Sequence, residues 1–235
     1  MTVNATARTD VGRVRARNED SFLLDAGASL YAIADGMGGH AAGDVASQTA
    51  IAAFAAAFAD TRSVLAAMKS ANRAVIERAV AEPDKLGMGT TMTAVSIVGP
   101  SILAAHVGDS RLYRWRAHQL TQLTRDHTVV QDMVDRGALS KEEAMYHPMS
   151  SMLTRSLGSR ADVEVDLLED ALQPGDLLLL CSDGLTGMMT DADIADVMQQ
   201  GKALDDIAKE LITRANRAGG IDNITVVLLQ VESDS

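Results

Sequence analysis

Three strand-like runs follow one another directly between Thr90 and Trp115: TTMTAVSIV, ILAAHV and RLYRW. β-Branched residues recur in the first of them. The GDS at Gly108–Ser110, between the other two, reads as a hairpin turn. Strands in direct succession favour an antiparallel α+β layout over a doubly wound parallel sheet. FLL and LYAIA come earlier in the chain, and DLLLLCS and NITVVLLQV come later. The last two are continuous apolar runs, consistent with strands buried on both faces. Helices are expected at Gly43–Ala59, Arg62–Ala81, Thr128–Arg136, Lys141–Tyr146, Asp191–Gln199 and Leu204–Ala218. The first is Ala-rich, with Asp44 placed to cap or charge its first turn, and the second ends before Pro83.

A chain of 235 residues suits one domain. It is 47% hydrophobic but only 3% aromatic, so Ala, Val, Leu, Ile and 12 Met must fill its core. The formal net charge is -11 and no basic run occurs, which argues against nucleic-acid binding. The acidity serves solubility or marks carboxylates clustered around cations, and the total does not choose between them. The single cysteine, Cys181, forbids an internal disulfide and fits a reducing compartment. The first twenty residues lack the apolar stretch of a signal peptide. No apolar run approaches the roughly 20 residues that span a bilayer. A cytoplasmic protein that does not meet the membrane is expected.

The acids recur in one local setting. Asp35 follows LYAIA and precedes Gly36, and Asp183 follows LLLLCS and precedes Gly184. Asp109 follows a strand, while Glu19, Asp20 and Asp222 stand just before strands. Any one of them could simply serve a turn, which Asp favours. Gathered at one end of a sheet, they would repel strongly unless neutralised. Hard divalent cations with oxygen ligands do this, and Mg²⁺ or Mn²⁺ is the natural choice. No Cys/His set with zinc spacing competes.

Eight stretches together resemble the metal-dependent serine/threonine protein phosphatases, or type 2C phosphatases, in their compact bacterial form. They are GRVRARNEDSF, AIADGMGGHAAGDVAS, GTTMTAV, AHVGDSRLYRW, LTRDHT, LTRSLG, LLLCSDGLTG and GIDNITVVLL, and they run almost end to end. The resemblance implies a four-layer α-β-β-α sandwich of two antiparallel sheets flanked by helices. It also implies hydrolysis of phosphoserine and phosphothreonine in proteins with two Mn²⁺ or Mg²⁺ ions. On this chain Asp35 matches the carboxylate that bridges both metals, and Gly36 the backbone carbonyl ligand. Asp183 and Asp222 match the ligands of the other metal. Glu19 and Asp20 match the acidic pair that holds metal-bound water. Arg15 matches the arginine that grips the substrate phosphate, and Arg17 is expected to point to solvent.

Two metals sharing one water lower its pKa towards neutrality, and the hydroxide then attacks phosphorus in line. Arg15 would hold two phosphate oxygens with its planar fork. Two positions depart from the family pattern. Asp109 matches one ligand of a third, weaker metal, but the expected aspartate partner is replaced by Gly187, so such a site would need a residue such as Asp191. The histidine that animal relatives place after Asp-Gly is Met37 here, with His40 three residues on. Cys181 lacks the arginine six residues later that a cysteine phosphatase needs, since position 187 is glycine, and it reads as a core residue.

The expected organisation is one catalytic domain over 1–235, with the segment 126–151, holding His127 and His147, as a flap beside the cleft. Phosphorylated proteins and a cognate serine/threonine kinase are the partners the resemblance implies, and a monomer is expected. Two rivals remain. GMGGHA, Gly36–Ala41, fits a loose dinucleotide-binding pattern, but Asp35 would face the pyrophosphate with a like charge. A non-catalytic regulatory protein of the same fold would ordinarily have lost metal ligands, and here the two-metal set is complete.

Overall fold

The computed structural model describes residues 2–38 and 42–232. Its strands are β1 (Thr2–Asp10), β2 (Asp20–Asp25), β3 (Leu30–Met37), β4 (Gly89–Thr90), β5 (Met92–Val98) and β6 (Ser101–Val107), then β7 (Arg111–Arg116), β8 (Gln119–Gln122), β9 (Asp166–Ala171), β10 (Leu177–Cys181) and β11 (Ile224–Glu232). The helices are α1 (Gly43–Thr61), α2 (Val64–Ala81), α3 (Val129–Asp135), α4 (Lys141–Met145), α5 (Asp183–Thr186), α6 (Asp191–Met198) and α7 (Leu204–Arg217). Two antiparallel sheets result. One runs β1-β11-β10-β7-β8, and the other runs β2-β3-β5-β6-β9 with β4 paired to the end of β3.

Side-chain alternation along the apolar strands builds four layers. On β3, Leu30, Ala32 and Ala34 pack against α1 and α2, while Tyr31 and Ile33 enter the core between the sheets. On β10, Leu177, Leu179 and Cys181 meet α6 and α7, while Leu178 and Leu180 face the inter-sheet core. β11 divides in the same way, with Val226 and Leu228 on the helix side and Val227 and Leu229 between the sheets. Burial of both faces explains why these sequences read as unbroken apolar runs. Each fully buried leucine contributes roughly 1.5–3 kcal/mol. The expected α-β-β-α sandwich is the observed one.

The expected helices all form, within about two residues of the expected ends. The second starts at Val64 rather than Arg62 because Arg62 closes α1 in a left-handed conformation, φ 53°, and Ser63 caps α2 by accepting from the Ala66 N–H. The long run TTMTAVSIV breaks at Thr91, whose N–H donates to the Asp35 carbonyl and whose hydroxyl accepts from the Asp35 N–H.

One expectation is corrected. GDS is not a hairpin turn, because β6 and β7 belong to different sheets and do not pair. All three of its residues are buried. Ser110 shares a hydrogen bond with the Thr91 hydroxyl and accepts one from Thr93 at its carbonyl, so the turn is anchored inside the second sheet as the chain crosses to the first. Gly108 permits the crossing at φ 112°, where a Cβ would also lie 2.5 Å from Thr91.

β1 was not foreseen. Its inward residues Val3, Ala5 and Ala7 alternate with polar ones, but alanine gives so weak a signal that the strand is hard to see. It earns its place by pairing with β11 over nine residues.

Candidate metal centre

The carboxylates converge at one end of the sandwich because antiparallel pairing brings strand starts beside strand ends. Asp20 opens β2 directly across from Asp35 near the end of β3. Unscreened like charges so placed destabilise a sheet. Asp109 leaves β6, Asp183 follows β10, and Asp222 precedes β11, the partner of β10.

Burial and mutual repulsion push these acids upward. Asp20 is raised to about 7, first by burial and then by Asp183 and Asp222, against the pull of hydrogen bonds from Thr225 and Ser182. Burial and then Asp20, Asp183 and Asp109 raise Asp35 well above the ordinary carboxylate value. Asp109 rises through burial, Asp183 and Asp126. Asp183 rises through burial and Asp222. Glu19 rises through burial and then Asp44. One oxygen of Asp20 and one of Asp183 are buried with no hydrogen-bond partner. Such orphaned, mutually repelling oxygens are what a hard cation relieves.

Among the described residues, no three Asp, Glu, His or Cys side chains form a ready-made cage around one point. Mg²⁺ and Mn²⁺ do not need one, because they are held by one or two carboxylates with carbonyls and waters making up the rest. Gly36 supplies the close backbone approach. A Cβ there would stand 2.1 Å from the Gly43 carbonyl oxygen and 2.6 Å from that of Glu19. The all-oxygen donor set therefore fits divalent ions of this kind.

Arg15 lies on the loop between β1 and β2 and donates from Nη2 to Asp222 Oδ2 at 2.6 Å. Partial burial opposes its charge, but Asp222 outweighs that and raises its pKa. Arg17 is exposed, and its carbonyl accepts from Asn223. Asp191 is engaged elsewhere, accepting from the Tyr113 hydroxyl at 2.8 Å and lying 3.9 Å from Arg111. Gly187 is exposed beside Asp183. Met37 is part-buried, while His40 and the end of GMGGHA fall at residues 39–41, outside the described residues. Burial pushes the Cys181 thiol up to about 12, which rules out a reactive thiolate at neutral pH. His127 is buried, accepting at Nδ1 from the Gly108 N–H and facing Asp166 at 3.1 Å. His147 accepts from the Met149 N–H.

Several positioning residues were missed in the sequence. Ser182 and Thr225 both donate to Asp20 Oδ2, at 2.9 and 2.6 Å, and so fix which oxygen remains free. Asn223 accepts from the Glu19 N–H and donates to the carbonyls of Val11 and Arg17, holding the Arg15 loop against β11. The only local hint is Asn beside Asp222 at the foot of a strand, a common turn pair.

The chain matches the family described as "Protein phosphatase 2C" over residues 12–223. It is 40% identical to serine/threonine phosphatase stp of Listeria monocytogenes over 241 residues, covering 97% of this chain and 96% of that one. The crystal structure of the Mycobacterium tuberculosis serine/threonine phosphatase PstP/Ppp superposes with a TM-score of 0.92 at 42% identity, covering 99% of this chain and all of that one. The catalytic domain of PstP in complex with two manganese ions superposes with a TM-score of 0.89 at 42% identity, covering 98% of this chain and 99% of that one. With its sandwich, its carboxylate cluster and these likenesses, the chain belongs to the protein phosphatase 2C family.

Proposed function

We propose that the chain is a protein serine/threonine phosphatase that hydrolyses phosphoserine and phosphothreonine with two divalent ions, Mn²⁺ or Mg²⁺. The observation that carries this reading is the set of repelling carboxylates from five segments, with orphaned oxygens on Asp20 and Asp183 and a forked arginine beside them. Relatives named as serine/threonine phosphatases, one of them holding two manganese ions, support it.

In this reading Asp35 would be shared by the two ions, and the Gly36 carbonyl, Asp183 and Asp222 would complete the protein's share of their ligands. Bound there, the ions neutralise phosphate charge and activate water at neutral pH. Asp20, its Oδ2 held by Ser182 and Thr225, keeps Oδ1 for a water. Glu19 stands beside it, half-buried. Arg15 is half-exposed, so its guanidinium can turn from Asp222 to two phosphate oxygens and fix the group for in-line displacement. A third ion at Asp109 would need a further ligand such as Asp191, whose Oδ1 accepts from the Tyr113 hydroxyl.

The proposal extends to a single catalytic domain with a flap around 126–151. There the strongly exposed Tyr146 follows α4. It also includes phosphoproteins and their cognate serine/threonine kinase as partners, a monomeric state and a cytoplasmic setting. Among the described residues no helix is long and apolar enough to cross a membrane.

The test is release of phosphate from a phosphothreonine peptide by chelator-treated protein supplied with Mn²⁺, beside the Asp35→Asn variant. Turnover by wild type alone supports the enzyme. Peptide binding without turnover would favour a non-catalytic regulatory protein.

A further inference from the structure

A cavity of about 490 Å³ opens where β1 and the loop after it meet α7, and none of the cluster's acids line it. Arg8 and Asp10 of β1, Arg13 of the next loop, Phe22 of β2, and Lys209 and Ile212 of α7 line it. Three cations at one cavity stand out in a chain of net charge -11. Two of the lining charges are already engaged. Arg8 forks onto Asp205, with bonds of 2.9 and 2.6 Å, and this pair staples α7 to β1. Asp10 Oδ1 accepts from the Gly12 N–H and from Asn216. Arg13 and Lys209 are exposed, and among the described residues neither lies within ion-pair distance of a carboxylate, although Lys209 stands close enough to Asp205 to favour its charge. Phe22 and Ile212 add apolar surface to the lining.

The cavity is continuous with the phosphate-handling loop. The Arg13 N–H donates to the Gly220 carbonyl at 2.7 Å, two residues before Asp222. Gly12 lies so close to Asp222 that a Cβ would stand 2.2 Å from its carbonyl oxygen. Arg13 and Arg15 are two residues apart on this loop. An extended peptide advances about 3.3 Å per residue, so a chain whose phosphate sits at Arg15 passes this rim within a few residues. The rest of a strongly acidic surface repels acidic flanks, and fields are screened beyond about 8 Å, so the local cations decide what binds here.

We propose that this groove binds an acidic segment of the phosphoprotein, flanking the phosphorylated residue. This rests on the phosphatase reading for its substrate, but the groove can be tested separately. Two phosphothreonine peptides, differing only in glutamate or serine flanks, are compared on the full chain and on Arg13→Glu and Lys209→Glu variants. Arg8 is left intact because it staples α7 to β1. The readout is the ratio of KM values for the two peptides, which cancels any general loss of activity. Exposed ion pairs of this kind are weak, so wild type should favour the acidic peptide about fivefold in KM with similar kcat, and each variant should lose or reverse that preference. Binding of a fluorescein-labelled glutamate-rich peptide without phosphate, followed by anisotropy, reads the groove even if no turnover is found. Tighter binding by wild type than by Lys209→Glu supports the proposal. Equal KM values in wild type, a preference unchanged by both variants, or equal binding of the labelled peptide would overturn it. Absence of turnover on an aryl phosphate with Mn²⁺ would count against the phosphatase reading, not the groove.

Discussion

Replacing Asn223 with alanine should both destabilise the protein and loosen its grip on phosphate. The side chain is 4% exposed and satisfies three backbone groups of the loop that carries Arg15. It accepts from the Glu19 N–H at 2.8 Å and donates to the carbonyls of Arg17 at 2.8 Å and Val11 at 3.0 Å. Each such bond contributes about 1 kcal/mol net, so losing all three costs about 3 kcal/mol. For a chain of this length that is a fall of roughly 6–12 °C in Tm. The freed loop lets Arg15 drift from Asp222, so KM for a phosphopeptide should rise more than kcat falls. Asn223→Asp makes a sharper companion, because it keeps the bond from Glu19, loses both donors and adds a charge beside Asp222. It should be no milder than alanine. Thermal melts and steady-state kinetics on both variants suffice. An alanine variant with wild-type KM that melts within about 2 °C of wild type would refute the claim that Asn223 holds the loop.

The stabilisation by Mn²⁺ should grow with pH. In the metal-free fold Asp20 is raised to about 7, and burial with neighbouring acids raises Asp35 and Asp109 well above the ordinary carboxylate value. Their stability contribution is therefore full below the unfolded carboxylate value and is lost as pH rises through the folded values. Ions that bind the ionised acids reverse that loss, so the Mn²⁺-induced gain in Tm should increase between about pH 5 and 8, and a constant gain would contradict this. Arg15→Lys keeps the charge but loses the fork, and kcat/KM on a phosphopeptide should fall about 10–100-fold, the worth of one hydrogen bond to a charged group. Equal kcat/KM values would show that the fork is not used. Gly36→Ala drives a Cβ onto the Gly43 and Glu19 carbonyls and should cost about 3 kcal/mol by chemical denaturation. A variant as stable as wild type would mean that the α1 start can retreat freely.

The sandwich was legible because its central strands are buried on both faces, so β10 and β11 read as plain apolar runs. β1 was not legible, since its inward face is carried by one valine and two alanines. GDS looked like a hairpin because turn composition says nothing of which sheet the next strand joins. The acids were visible as Asp at strand ends, but their arrangement depends on partners far away in the chain. Arg15 and Asp222 are 207 residues apart, and Thr225 and Asp20 are 205 apart. In GIDNITVV the Asp-Asn pair reads only as a common turn, so its sequence does not show Asn223 tying a loop at the other end of the chain. The eight family stretches supplied by resemblance what spacing alone left open, namely which carboxylates act together.

The proposed two-ion centre is built around Asp35. Calorimetric titration of Mn²⁺ into chelator-treated protein near neutral pH tests it most directly. Two ions per wild-type chain are expected, as in the related domain that holds two manganese ions, with proton release as the raised acids ionise. Asp35→Asn should lose at least one of them. A wild-type chain that binds no Mn²⁺, or an Asp35→Asn variant that binds as many ions as tightly, would contradict it.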